Sequence, residues 1–152
     1  MSPDKFFRWV VKYLYPLKHI PMLPHIFDGI LKVHAYFFHQ KLLDWLDEID
    51  NVVSKLPEVS ISSHKYGGVQ YNALGKEIGH IHGNGLIDIR FTKKLKAYIL
   101  EEGKVEDHHV LKNTGWVSFQ LKNSEDVAYA IKLLGQSHAL VLKRSNYKVP
   151  TN

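Results

Sequence analysis

The stretch Glu77-Ile-Gly-His-Ile-His-Gly-Asn-Gly-Leu-Ile-Asp-Ile-Arg-Phe91 constrains this chain more than any other. Two runs of alternating residues flank Gly83-Asn84-Gly85, the pattern of a tight β-hairpin. Register decides which side chains meet, because a slip of one residue sends every side chain to the opposite face. A two-residue loop of Gly83 and Asn84 would set His80 against Ile87 and mix imidazoles with aliphatic groups. A three-residue loop with Gly85 in the left-handed position sets His80 against Asp88 and Ile81 against Ile87. One face then carries Gly79, Ile81, Ile87, Ile89 and Phe91, and the other His80, His82, Asp88 and Arg90. The separated faces, and the glycine that a left-handed loop position requires, favour the three-residue loop.

The 152 residues suit one domain with an appendage, and an apolar fraction of 45% is enough for a real core. There is no cysteine, which excludes disulfides, zinc–thiolate sites and a cysteine nucleophile. The formal charge of +5 is unevenly spread: residues 1–41 hold six Lys/Arg and two Asp/Glu, and the remainder fourteen and thirteen. The basic character thus belongs to the N-terminal segment, and a nucleic-acid partner is not expected. Charges interrupt every long apolar run, so no transmembrane helix is expected. Lys5, Arg8, Lys12 and Lys18 argue against a cleaved secretory signal, and a cytoplasmic location, peripheral at the membrane or free of it, follows.

Residues 3–15 read as a short amphipathic helix with Phe6, Val10, Tyr13 and Leu14 on one stripe. Packing on the domain or on a second copy of the chain, giving a homodimer through the N-terminal helices, is the plainer use of it. The alternative is an anionic membrane surface, contacted through residues 1–24. Pro16, Pro21 and Pro24 break the chain, and a helical pattern then runs to Leu56-Pro57, as one helix or as two joined near His39-Gln40. His25, His34 and His39 along it have no coordinating spacing.

Strands are expected at Val59–Ser62 and Val69–Asn72, about a Gly67-Gly68 turn, ahead of the central hairpin. Thr92 caps a helix whose stripe is Leu95, Tyr98 and Ile99 and whose end is Gly103. Lys93, Lys94 and Lys96 read as its solvated face. Val105 to Leu111 reads as a strand or extended edge, on which only one of His108 and His109 can join a given face. Trp116–Leu121 is the clearest strand. Ser124 is expected to cap a last helix ending at Gly135, and Ala139–Leu142 to add a final strand. The fold class that follows is α+β: a largely antiparallel sheet with helices packed on one face, plus an N-terminal helical extension. The divisions are 1–40 for the extension, 41–143 for the α+β domain and 144–152 for a polar tail.

From about Lys41 to Leu142 the chain resembles the luciferase-like domain family, a group of small proteins of uncharacterised function. The matching residues are His80-Ile-His82-Gly-Asn-Gly85-Leu-Ile-Asp88, Phe91, His108-His109-Val-Leu, Gly115-Trp116-Val-Ser-Phe119 and Glu125-Asp126-Val127. Arg90 and Lys112 stand where the family pattern leads one to expect prolines. The family name suggests light emission, a chemistry to which none of these residues points. The last strand and helix are also similar to small α+β modules of the double-wing type, a likeness that bears on fold alone.

His80 and His82 project from one face roughly 7 Å apart by strand rise, with Asp88 across from His80. Three chemistries fit. His80, His82 and Asp88 could hold a divalent transition metal such as zinc, iron or copper. A histidine held by Asp88 could do metal-free acid–base work. The favoured expectation, ahead of a metal-dependent or acid–base enzyme, is an open sheet face on which His80, His82, Asp88, Arg90, His109 and Trp116 line a surface for a small anionic or aromatic molecule or a protein. The plainest alternative is that the polar groups only fix the hairpin. Ser118 and Thr114 lack the context of a nucleophile.

Overall fold

The computed structural model describes residues 40–147, together with positions 22, 25, 26, 28–30 and 33 ahead of them. Residues 25, 26, 28–30 and 33 are helical. The expected helix over 3–15, its membrane and dimer roles, and the joint near His39-Gln40 lie outside the described residues.

The elements are α1 (Gln40–Val53), β1 (Val59–Ser63), β2 (Val69–Ala73), β3 (Lys76–Ile81), β4 (Leu86–Arg90), α2 (Lys93–Glu101), β5 (Glu106–Asp107), β6 (Trp116–Gln120) and α3 (Glu125–Arg144). The strands form one six-stranded sheet in the order β1-β2-β3-β4-β6-β5, with every neighbouring pair antiparallel. This is the expected α+β class. The hairpin has the three-residue loop: Gly79 pairs with Ile89, His80 with Asp88 and Ile81 with Ile87. Gly85 has φ +80°, and its N–H bonds the carbonyl of His82 at 2.9 Å.

Alternation sorts the sheet into two chemically distinct faces. Tyr71, Gly79, Ile89 and Val117 form one row, and Val69, Ile81, Ile87 and Phe119 the next. These rows join Ile49 and Val53 of α1, Ile99 of α2 and Val127, Ala130, Leu133 and Leu134 of α3 in a single buried cluster. Gly79 allows α3 to settle close: a Cβ there would stand 2.8 Å from the Leu134 side chain and from the Asp88 carbonyl. Ser137 of α3 ties helix to sheet, donating to the carbonyls of Ile78 (2.9 Å) and Arg90 (2.6 Å).

Several expectations are corrected. The final strand at Ala139–Leu142 is helix, because α3 runs unbroken through Gly135 to Arg144. Buried Leu134, His138 and Leu142 continue the stripe of Val127 and Ala130, and that burial outweighs the roughly 1 kcal/mol cost of an internal glycine. Ser124 makes no capping bond. Asn123 does that work, its side-chain oxygen accepting the N–H groups of Glu125 (2.9 Å) and Asp126 (3.2 Å). The strand expected over Val105 to Leu111 shrinks to Glu106–Asp107. On α2, capped by Thr92 as expected, Tyr98 is exposed and Lys96 is buried, the reverse of the apolar-stripe reading. The Lys96 ammonium is sheltered because it donates to Asp107 Oδ1 (2.6 Å) and to the carbonyls of Lys112 (2.6 Å) and Thr114 (3.0 Å).

Among the described residues no helix is long and apolar enough to cross a membrane.

Candidate functional site

The face of the sheet away from α3 carries a polar row that crosses five strands: Gln70, His80, Asp88, Ser118 and Glu106 stand in register on β2, β3, β4, β6 and β5. Asp88 is its hub. One carboxylate oxygen, Oδ1, accepts the Ser118 hydroxyl. The other, Oδ2, faces three imidazoles: His80 Nε2 at 3.2 Å, His82 Nε2 at 3.7 Å and His108 Nε2 at 3.8 Å.

A β-bulge adds a second carboxylate. Tyr71 pairs with Gly79 but Asn72 with Glu77, which leaves Ile78 as an extra residue on β3. The alternation is thereby shifted, and Glu77 reaches the same side as His80, with Oε1 2.7 Å from His80 Nδ1. His80 is therefore gripped at both ring nitrogens by carboxylates. His64 leaves β1 into the turn before β2, where Gly67 N–H bonds its carbonyl at 2.9 Å. Its ring stacks on His80 with centroids 3.7 Å apart and planes 10° apart. Its Nε2 lies 3.8 Å from Glu77 Oε1.

These contacts set the charges. Burial alone would lower His80, but its hydrogen bonds to Asp88 and Glu77 outweigh that and hold the imidazole above its ordinary range. Burial alone would raise Asp88, but the neighbouring His80 and His82 imidazoles and the Ser118 hydroxyl hold its carboxyl well below the usual carboxylate range. Glu77 is also lowered, its burial outweighed by the bond to His80. His64 is pushed down to about 4, first by burial and then by the charge of His80. His108 is lowered by burial, against the attraction of Asp88.

The centre of this face is not open as the sequence suggested, since Asp88 is 1% and His80 6% exposed. The lid is polar and aromatic: His64 covers His80 on one side, and half-buried Trp116 stands on another, its ring 5.6 Å from His80 and 6.2 Å from His108. From the N-terminal segment, buried Asp28 accepts the Gly83 N–H at 2.9 Å and so holds the hairpin loop.

Of the residues named from sequence, His80, His82 and Asp88 converge, and Trp116 borders them. Arg90 is exposed at the end of β4, in register with Trp116. His109 is exposed, its ring stacked on His108 at 4.7 Å; the member of the pair that reaches Asp88 is His108. Sequence reasoning passed over Glu77 and His64. The Gly67-Gly68 turn carried a signal for His64, because any hairpin of β1 and β2 set beside β3 brings that turn next to the histidine strand.

Among the described residues two sets of donors lie close enough to share a metal ion: His80, His82 and Asp88, and His64, Glu77 and His80, the donor atoms of each set within 4.8 Å of one another. Ligand atoms about 2.1 Å from a common metal stand roughly 3–3.5 Å apart. The 3.2 and 3.7 Å from Asp88 Oδ2 to His80 and His82 are close to that spacing. In the second set the parallel stacking of His64 on His80 keeps the two ring planes from meeting at one ion.

Residues 75–137 match the family model described as Luciferase domain. The match starts just before β3, ends within α3, and takes in Glu77, His80, His82, Asp88, His108 and Trp116 but not His64. No curated protein and no solved structure matches the chain.

Proposed function

We propose that this protein, which carries a luciferase-like domain, is a metal-centred small-ligand site. His80 Nε2, His82 Nε2 and Asp88 Oδ2 would hold one divalent transition metal. Two imidazoles and a carboxylate suit zinc or iron and leave coordination positions open for a ligand. The observation that carries the reading is the convergence of two imidazoles, from β3 and the residue that follows it, on one buried carboxylate oxygen, with Glu77 on the far nitrogen of His80. A carboxylate behind a ligating histidine fixes the tautomer and makes the ring a better donor. Charge argues the same way. Two carboxylates, one of them fully buried, grip the ring of His80, and a divalent cation beside them would offset their charge, displacing any proton held on His80 Nε2. Trp116 and Arg90 would border the open positions and meet the bound molecule.

Elemental analysis of protein purified without a histidine tag tests this, with the His80→Ala/His82→Ala double variant beside it. About one equivalent of metal in the parent and a trace in the variant is the expected result. The same substoichiometric content in both would remove the metal. A second reading rests on the Glu77–His80–Asp88 chain itself. Its imidazole, anchored at both nitrogens by carboxylates that favour the protonated form, would be a proton carrier that needs no metal, and the site would then do acid–base work on a small molecule.

A further inference from the structure

We infer that His108 is the hydrogen-bond donor for an anionic oxygen of the bound molecule, of the carboxylate kind, and is not a fourth metal ligand. The inference names the ligand chemistry of the site proposed above and rests on that reading for its location. The tautomer that carries it does not depend on any metal.

His108 Nδ1 accepts two backbone hydrogen bonds, from Val110 N–H at 3.1 Å and from Leu111 N–H at 3.1 Å. A ring nitrogen that accepts must keep its lone pair, so the ring proton sits on Nε2. A proton on Nδ1 would confront two N–H groups with a third and undo the turn after β5. The ring is thus locked as the neutral Nε2–H tautomer. Nε2 lies 3.8 Å from Asp88 Oδ2, the oxygen on which His80 and His82 also converge, and is beyond hydrogen-bond reach of it. A metal ligand needs a lone pair at Nε2. With Nδ1 already accepting, that would demand an imidazolate, so His108 is a donor to whatever occupies the open position and not a part of the ion's cage. The same loop is anchored from beneath, because buried Lys96 holds Asp107 and the carbonyls of Lys112 and Thr114. The donor is therefore set before a ligand arrives. Arg90, exposed and in register with Trp116, adds a fixed positive charge to this side of the sheet, which favours an anionic acceptor.

His108→Asn is the informative variant. The asparagine side-chain oxygen takes the place of Nδ1, accepts the same two N–H groups and keeps the turn, while the Nε2–H donor is gone. His108→Phe keeps the ring volume and removes both functions. Nitrogen-15 NMR of histidine-labelled protein reads the tautomer, and calorimetry reads zinc stoichiometry and the affinity for oxalate. The expected results are Nε2-protonated, Nδ1-bare His108 with and without zinc, zinc stoichiometry unchanged in His108→Asn, and oxalate affinity lower by about tenfold or more. An Nδ1-protonated ring, loss of the zinc equivalent in His108→Asn, or unchanged oxalate affinity in a folded variant would each overturn the inference. Should the parent take no zinc, the metal reading alone fails, and oxalate is titrated into metal-free protein. Binding that weakens in His108→Asn sustains the donor role; no binding at all ends it.

Discussion

Glu77 Oε1 lies 2.7 Å from His80 Nδ1, although the two residues are three apart on one strand. Regular alternation would send them to opposite faces, and only the extra residue Ile78 in the β3 bulge brings them together. The contact turns a histidine that merely faces Asp88 into one with both nitrogens committed. With Nδ1 held by Glu77, Nε2, beside Asp88 and His82, is the nitrogen that the proposed metal would use.

Glu77→Gln should therefore weaken zinc binding without abolishing it. The amide can still accept from Nδ1 but brings no charge. The expected loss is about 10- to 100-fold in affinity, the usual effect of altering a carboxylate behind a ligating histidine. Zinc titration by calorimetry measures it, and an unchanged affinity would mean that Glu77 serves the hairpin alone.

His64→Phe should flatten the acid side of the stability profile. Folded His64 titrates at about 4, against 6.5 unfolded. Its contribution is thus fully present above 6.5 and is lost as pH falls toward 4, because the unfolded chain takes up the proton first. His108 has the same sign and His80 the opposite one, but both remain in the variant, so the difference between the two proteins reports His64 together with its coupling to His80 and Glu77. Phenylalanine keeps a ring stacked on His80. Between pH 7.5 and pH 5 the variant should gain about 1 kcal/mol relative to the parent, a value discounted for partial solvation. Urea unfolding at the two pH values checks this; parallel profiles would contradict it.

Gly85→Ala should cost about 1–2 kcal/mol. The position has φ +80°, and an added Cβ would stand 2.8 Å from Leu42 Cδ1. Denaturant unfolding measures the loss. A neutral substitution would mean that the loop does not hold the register of His80 against Asp88.

Lys96→Met should destabilise by about 2 kcal/mol, since the methionine fills the space but leaves two carbonyls without their donor. The loop that carries His108 loses its anchor in the same step, so the His108 NMR signals should broaden or shift. A change below ~0.5 kcal/mol would place Lys96 among ordinary surface lysines.

Much of this was legible in the sequence. Asn84 between two glycines, with segregated residues on both arms, was enough to pair His80 with Asp88, and Trp116–Gln120 with its apolar alternation was plain. What escaped depends on non-local terms. The bulge at Ile78 is set by how β2 meets β3, and plain alternation counted from His80 puts Glu77 on the opposite face. Lys96 looked like a solvated charge because its three acceptors come from a later loop. The helix through Ala139–Leu142 was hidden by Gly135, whose local cost is outweighed by a stripe buried on the sheet. His108 could not be told from His109 until the turn that its Nδ1 accepts was known.

Whether His80, His82 and Asp88 share one metal ion is read from anomalous diffraction at the zinc edge, on crystals grown with zinc. A shared ion gives a single strong peak about 2.0–2.2 Å from His80 Nε2, His82 Nε2 and Asp88 Oδ2, with His108 outside bonding distance. A map with no peak there, or with zinc only on exposed histidines such as His25 and His109, would contradict it.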